Sequence, residues 1–200
     1  MSGSIDFSAR QSQQEVDSLF TQRWSPRAFN SEPVSNEDLG KIFEAARWSP
    51  SCFNEQPWRF ITCTENSREK FIDLLVEANQ SWAITAPVIG FILAEKNFYG
   101  MAAQMFGEGA DNRYALFDTG AAWMAMTLQA RMLGLYTHGM GGINHEAVYQ
   151  AFDINPQETE VVCGFALGAL GDSQQLPERF RDNEKPSPRR ALKDIWRVQA

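Results

Sequence analysis

The sequence predicts an α+β fold, a central mixed, mainly antiparallel sheet covered by helices, on three observations. Two continuous apolar runs, Pro87–Leu93 and Val161–Gly168, have the length and composition of strands buried on both faces. Two longer segments, one after Ser35 and one from Asp118 to Leu133, carry the apolar content and spacing of helices. These segments are interspersed along the chain with few hairpin signals, so a sheet with helices packed on it is the economical arrangement. With 200 residues, 44% of them hydrophobic, the chain suits one domain over 1–200, with 176–200 as a basic C-terminal extension.

In chain order, Gln11 to Thr21 reads as a helix. Ser35-Asn-Glu-Asp38 resembles a capping box, and Leu39, Ile42, Phe43 and Ala46 recur at helical spacing behind it until Pro50 ends the run. Trp58 to Thr64 alternates as a strand does, and Ser67 to Asn79 reads as a helix. Lys96 to Arg113, rich in Gly, Met and aromatics, has no clear period and is expected to be a mobile lid. Asp118 to Leu133 is apolar almost all round, which predicts burial on more than one side, and Gly134 is placed as its C-cap. Gly139-Met-Gly-Gly-Ile-Asn144 echoes a dinucleotide-binding turn but lacks its third glycine and a strong strand before it. The last segment, Ala191 to Val198, is weakly helical.

The net charge of −7 argues against a nucleic-acid partner. The charge is uneven: Leu176 to Ala200 holds seven basic residues against four acidic ones, a cluster sized for a compact anion. Three cysteines without CxxC spacing argue against a disulfide framework and against structural zinc. The N-terminus has no signal-like apolar stretch, and the longest apolar run is far short of the ~20 residues a membrane span takes. A cytoplasmic protein with no membrane partner is expected.

Side-chain catalysis finds little support. His138 and His145 lack metal-ligand spacing and read as loop or surface residues, and there is no GxSxG, HExxH or P-loop. A borrowed reactive group is the better expectation, and no metal. Two polar clusters could hold one. Arg23-Trp-Ser-Pro-Arg27 offers two guanidinium forks and a hydroxyl, the donors a phosphate takes. Ser49-Pro-Ser-Cys-Phe-Asn-Glu-Gln-Pro-Trp58 puts Ser51, Asn54 and Gln56 on a loop pinned by two prolines, where amides can serve a flat heterocycle with N–H and C=O edges.

Together these clusters resemble the FMN-dependent nitroreductase family. The likeness continues through Ala86-Pro87, Asp118-Thr-Gly-Ala-Ala, Gly134-Leu135, Gly141-Gly142-Ile-Asn144 and Arg189-Arg190-Ala-Leu192. It implies FMN as cofactor, a homodimer, and hydride transfer from NADH or NADPH to a small aromatic or quinone-like acceptor. It implies that Arg23, Trp24, Ser25 and Arg27 contact the phosphate, ribityl chain and ring edge. Asn54, with Ser51 and Gln56 beside it, would reach the ring from the neighbouring subunit. The backbone N–H of Gly141 or Gly142 would face flavin N5, and Arg189 and Arg190 would close on the phosphate. Phe98, Tyr99 and Phe106 are candidates for an aromatic substrate lid or for packing at the dimer edge. Trp24 stands where the family often has a second arginine, Ala191 where the tail has proline, and Trp123-Met124 where the central helix is often polar. A specialised flavin enzyme of the same fold (a reductive dehalogenase, a dedicated dehydrogenase or a flavin-consuming enzyme) and a non-catalytic FMN-binding module stay open as alternatives.

Overall fold

The computed structural model describes residues 5–199. Four strands, β1 (Trp58–Thr62), β2 (Val88–Glu95), β3 (Tyr136–Met140) and β4 (Thr159–Gly168), form one sheet in the order β1-β2-β4-β3. All three pairings are antiparallel. The two central strands are the two apolar runs, because only strands covered on both faces need side chains that are apolar on both. β3 is the strand the sequence hid. Tyr-Thr-His-Gly-Met has no apolar pattern, yet it pairs residue by residue with β4 from Tyr136↔Gly168 to Met140↔Gly164.

Helix α2 (Asn36–Arg47) starts as expected, with Ser35 Oγ accepting from the Asp38 N–H at 3.0 Å. It packs with α6 (Ala115–Met132) on one face of the sheet, through Ile42, Ala46, Ala122, Met126 and Ala130 against Trp58, Ile92 and Phe165. The other face carries Phe71, Trp82, Phe91 and Val148 from α3 (Arg68–Asp73), α4 (Glu77–Ala83), β2 and α7 (His145–Ala151). Gly134 closes α6 at φ 78°, the left-handed conformation expected of a C-cap glycine.

Several expectations need correction. The N-terminal helix α1 covers only Ser18–Gln22, capped by Asp17, and residues 11–17 are irregular. The single helix expected over Ser67–Asn79 is two, because Leu75 leaves the helical path to bridge Ile143 while the Val76 N–H donates to the Gly142 carbonyl at 3.1 Å. Segment 96–113 is not shapeless: it leaves and rejoins at Asn97↔Asp111 and carries α5 (Met101–Phe106) at its tip. Within one chain helix α6 buries one side, through Ala122, Met126 and Ala130, and leaves Leu116, Phe117, Met124 and Met132 exposed. The tail holds α8 (Glu178–Arg181) and one 3₁₀ turn at Leu192–Asp194 in place of a longer weak helix.

Candidate functional site

The spacing Arg-x-Ser-x-Arg has a simple physical origin. From Arg23 to Ala28 the chain alternates half-buried and buried: Trp24, Pro26 and Ala28 turn inward, Arg23, Ser25 and Arg27 outward. This is the period of an extended segment, so the three polar residues share one face. The Arg23 Nη1 donates to Ser25 Oγ at 3.3 Å. Trp24 belongs to the opposite face, against the expectation that it contacts a cofactor. Its ring is buried edge-on to Tyr136, centroids 6.2 Å apart.

The arginine face opens into a cavity of about 570 Å³ between the N-terminal segment, α6 and the tail. Arg10, Arg23, Arg189 and Arg190 all line it, beside Trp123, Met124, Thr127 and Leu192. No Asp or Glu is among its lining residues. Two bonds gather the cluster: Arg10 Nη1 donates to the Arg23 carbonyl at 3.2 Å, and the Leu192 N–H donates to Gln13 Oε1 at 2.6 Å, drawing the tail onto the N-terminal segment. Burial lowers the pKa of Arg10 and of Arg23, and the neighbouring Arg189 charge lowers both further. Arg10 Nε is buried without a partner. Guanidinia that depress one another, with no acid among them, make this the cationic pocket of the N-terminal segment.

Arg27 does not reach this cavity. Its guanidinium lies over the Phe180 ring, 5.2 Å from the centroid, and 3.9 Å from Glu184 Oε2. Glu184 Oε1 also accepts from the backbone N–H groups of Arg27 (2.6 Å) and Ala28 (2.9 Å). On the other side of the segment, His138 Nδ1 lies 2.8 Å from the Pro26 carbonyl, and its ring packs on Trp82 at 4.6 Å. His138 is therefore a half-buried strand residue, not the loop or surface histidine expected. Burial is the main reason its pKa falls to about 4, and the charges of Arg27 and Arg23 add to the effect. His145 is exposed at the start of α7, in line with the surface placement expected.

Loop 51–56 is built with strain. Phe53, Asn54 and Gln56 hold φ of 52°, 60° and 50°. Asn tolerates that left-handed region, but Phe and Gln adopt it at a cost of ~1–3 kcal/mol each, so surrounding contacts must impose it. Asp118, buried in α6, accepts from the Cys52 N–H at 2.9 Å, and Ser51 Oγ accepts from the Gln56 N–H at 3.0 Å. The Glu55 carboxylate accepts from the N–H groups of Tyr99, Gly100 and Ala102 at the start of α5. The loop and segment 96–113 thus meet at one carboxylate. Burial raises the pKa of the Cys52 thiol, and the nearby Asp118 and Glu55 add to this, so a thiolate is disfavoured.

The three expected lid aromatics split. Phe98, 6% exposed, is the buried root of a small cluster with Ala102 and Ala103, so it presents no face to a substrate. Phe106 and Tyr99 are each 55% exposed, and Phe106 stacks on Phe98 and meets Phe53 edge-on. Asn54 and Tyr99 line a second cavity of about 500 Å³ with Phe53 and the Arg59–Glu95 ion pair.

Gly141 and Gly142 differ. A Cβ on Gly142 would sit 2.7 Å from both Asn79 Nδ2 and Val76 Cγ2, so only glycine fits, and Asn79 Nδ2 donates to its carbonyl at 2.9 Å. A Cβ on Gly141 would meet open space. Neither glycine, nor Ser51, Asn54 or Gln56, lines the arginine cavity. Within one chain the structure joins Arg23, Arg189, Arg190 and Trp123 and keeps the loop apart. Arg10, Glu55, Asp118 as a loop anchor and Glu184 were not singled out for these roles from sequence. Arg10 alone carried a signal, as a third arginine upstream of the Arg23–Arg27 cluster.

The molecule is thus an antiparallel sheet wrapped by helices, with four arginines gathered in a cavity walled by Trp123. The chain belongs to the nitroreductase family, a family of oxidoreductases, whose model matches residues 20–169. A protein from Leptothrix cholodnii is 30% identical over 168 residues, covering 76% of this chain and 85% of the relative. One from Cupriavidus pinatubonensis is 26% identical over 175 residues, covering 79% and 89%. Both names assign those proteins provisionally to the NADH dehydrogenase/NAD(P)H nitroreductases. Among solved structures, an oxidoreductase containing FMN is 38% identical, with a TM-score of 0.88 over 98% of this chain and 96% of that one. A Desulfovibrio desulfuricans protein in complex with FMN, at 22% identity and a TM-score of 0.71 over 94% and 99%, shares the fold.

Proposed function

We propose that this chain is a cytoplasmic, homodimeric FMN oxidoreductase that draws on NADH or NADPH and reduces a small electron-poor acceptor such as a nitroaromatic or quinone. The observation that carries the reading is the acid-free cluster of Arg10, Arg23, Arg189 and Arg190 in one cavity. It suits a phosphate monoester, which brings roughly two negative charges and several acceptor oxygens to donors that lack them. The partnerless Arg10 Nε fits the same ligand. Family membership and the FMN held by the 38% identical structure support the choice of flavin.

When bound, FMN would accept a hydride from the nicotinamide and return reducing equivalents to the acceptor. The protein's part is binding and orientation. Arg10, Arg23, Arg189 and Arg190 hold the phosphate, with Ser25 and Arg27 beside Arg23 on the same face. The open face of Gly141 lets a flat ring approach the backbone closely. Asn54, with Ser51 and Gln56, serves the ring of the other subunit, since in its own chain the loop lies away from the arginines. Tyr99 and Phe106 offer aromatic surface near that loop to a stacked substrate.

The test is optical. Purified protein should be yellow, and NADH or NADPH without oxygen should bleach it until a quinone is added. A yellow protein that neither nucleotide bleaches would make it a binding module. A colourless protein that does not take up FMN would remove the cofactor assignment.

A further inference from the structure

Three consecutive residues of the arginine segment have backbone groups held by side chains from distant parts of the chain. The Pro26 carbonyl lies 2.8 Å from His138 Nδ1, in strand β3. The N–H groups of Arg27 and Ala28 donate to one oxygen of Glu184, in the tail, at 2.6 and 2.9 Å. None of these contacts belongs to a sheet ladder or a helix cap, so the segment owes the bonding of these three backbone groups to two side chains. We propose that His138 and Glu184 are positioning residues that clamp the Arg23–Arg27 segment from two sides and thereby set the seating of the flavin. The proposal rests on the reading of this segment as part of the FMN site.

The chemistry of each jaw fits the role. A carbonyl can only accept, so His138 carries its proton on Nδ1, and its packing on Trp82 fixes the ring plane. Glu184, its side chain 2% exposed, accepts with Oε1, while Oε2 is buried without a hydrogen-bond partner. A buried carboxylate oxygen left unpaired is costly, so the contact is kept for what Oε1 does. Arg27 is gripped by its backbone, and its guanidinium, 3.9 Å from Oε2 and resting on Phe180, stays beyond hydrogen-bond reach. The clamp also ties the tail that carries Arg189 and Arg190 to the segment that carries Arg23.

The experiment compares His138→Leu and Glu184→Ala with the conservative His138→Asn and Glu184→Gln. Asn places an amide N–H near the Nδ1 position, and Gln keeps an acceptor oxygen without the charge. FMN affinity is read by quenching of flavin fluorescence, ring seating by visible circular dichroism, and folding by urea titration. Leu and Ala should weaken FMN binding about tenfold or more, the size of one or two lost hydrogen bonds, and alter the flavin dichroism. Asn and Gln should stay within about threefold of wild type with its dichroism. If Glu184→Ala or His138→Leu does not fold, the conservative pair decides: affinity within about threefold of wild type with its dichroism supports the clamp, and a loss of about tenfold or more in a folded Asn or Gln variant overturns it. Wild type that binds FMN while folded Leu and Ala variants bind it equally well, with the same dichroism, overturns the clamp alone. Wild type that binds no FMN overturns the flavin reading beneath it.

Discussion

The Asp118 carboxylate, buried in the first turns of α6, accepts the Cys52 N–H at 2.9 Å and so fixes the strained loop 51–56 to the longest helix of the protein. Asp118→Ala would leave that N–H without its acceptor, at a cost of about 1–3 kcal/mol. The expected outcome is a lowered urea midpoint together with weaker FMN retention, and Asp118→Asn should fall between Ala and wild type. A stability loss with full flavin occupancy would show that the loop does not serve the cofactor.

Arg23 should matter more to the cofactor than Arg27, because only Arg23 points into the cavity. One charge-assisted bond is worth about 1.5–3 kcal/mol, so Arg23→Ala is expected to raise the FMN dissociation constant about 10- to 150-fold. Arg10→Ala should act in the same direction, since it removes both a cavity cation and the bond to the Arg23 carbonyl. Equilibrium fluorescence titration at fixed salt ranks the three. Arg27→Ala proving the most damaging would place the phosphate elsewhere.

Acid should weaken the fold through His138. Its pKa is about 4 in the folded protein against an ordinary 6.5, so between those values the unfolded chain binds a proton that the folded chain refuses. Stability is therefore lost as pH falls from about 6.5 towards 4, by at most ~1.4 kcal/mol per pH unit. Glu184 acts oppositely: burial raises its carboxyl, so its contribution declines as pH rises above the ordinary carboxylate value. Subtracting the pH profile of His138→Asn from that of wild type leaves the histidine contribution. A difference that is flat with pH would mean that His138 titrates normally.

Phe117 is 79% exposed on α6, and Met124, exposed two turns further on, shares its face of the helix. An apolar patch of this kind on an isolated chain marks an interface. Phe117→Asp is expected to raise the dimer dissociation constant at least about 30-fold, the cost of a lost anchor at ~2 kcal/mol, and to release FMN as the dimer dissociates. Sedimentation velocity with absorbance at the flavin band follows both at once. A yellow monomer at nanomolar concentration would exclude a shared site.

The parts of this molecule legible in its sequence were those governed by local periodicity. β2 and β4 are apolar runs, α2 has its serine cap, and Arg23, Ser25 and Arg27 fall at a spacing of two. What stayed hidden depends on contacts made by the folded chain. The break between α3 and α4 lies within an apolar stretch that continues the helical pattern, and only the bridge from Leu75 to Ile143 interrupts it. β3 shows as a strand only beside β4, so His138 looked like a loop residue. Nothing in the sequence neighbourhoods of Glu55 and Glu184 shows that each will accept from backbone N–H groups far along the chain. Arg10 lies just before the segment Gln11 to Thr21 expected as a helix, and its neighbours in the cavity come from both ends of the chain.

The alternation from Arg23 to Ala28 makes the length of this segment more binding than its composition. Swapping one outward side chain weakens one contact, whereas deleting a single residue between Trp24 and Pro26 would exchange the two faces downstream, sending Arg27 into the core and an alanine towards solvent. Drift or laboratory mutagenesis can therefore rewrite letters here far more freely than it can change their number. Variant libraries aimed at a different anionic ligand should randomise position 23 and leave the count of residues from 23 to 28 untouched.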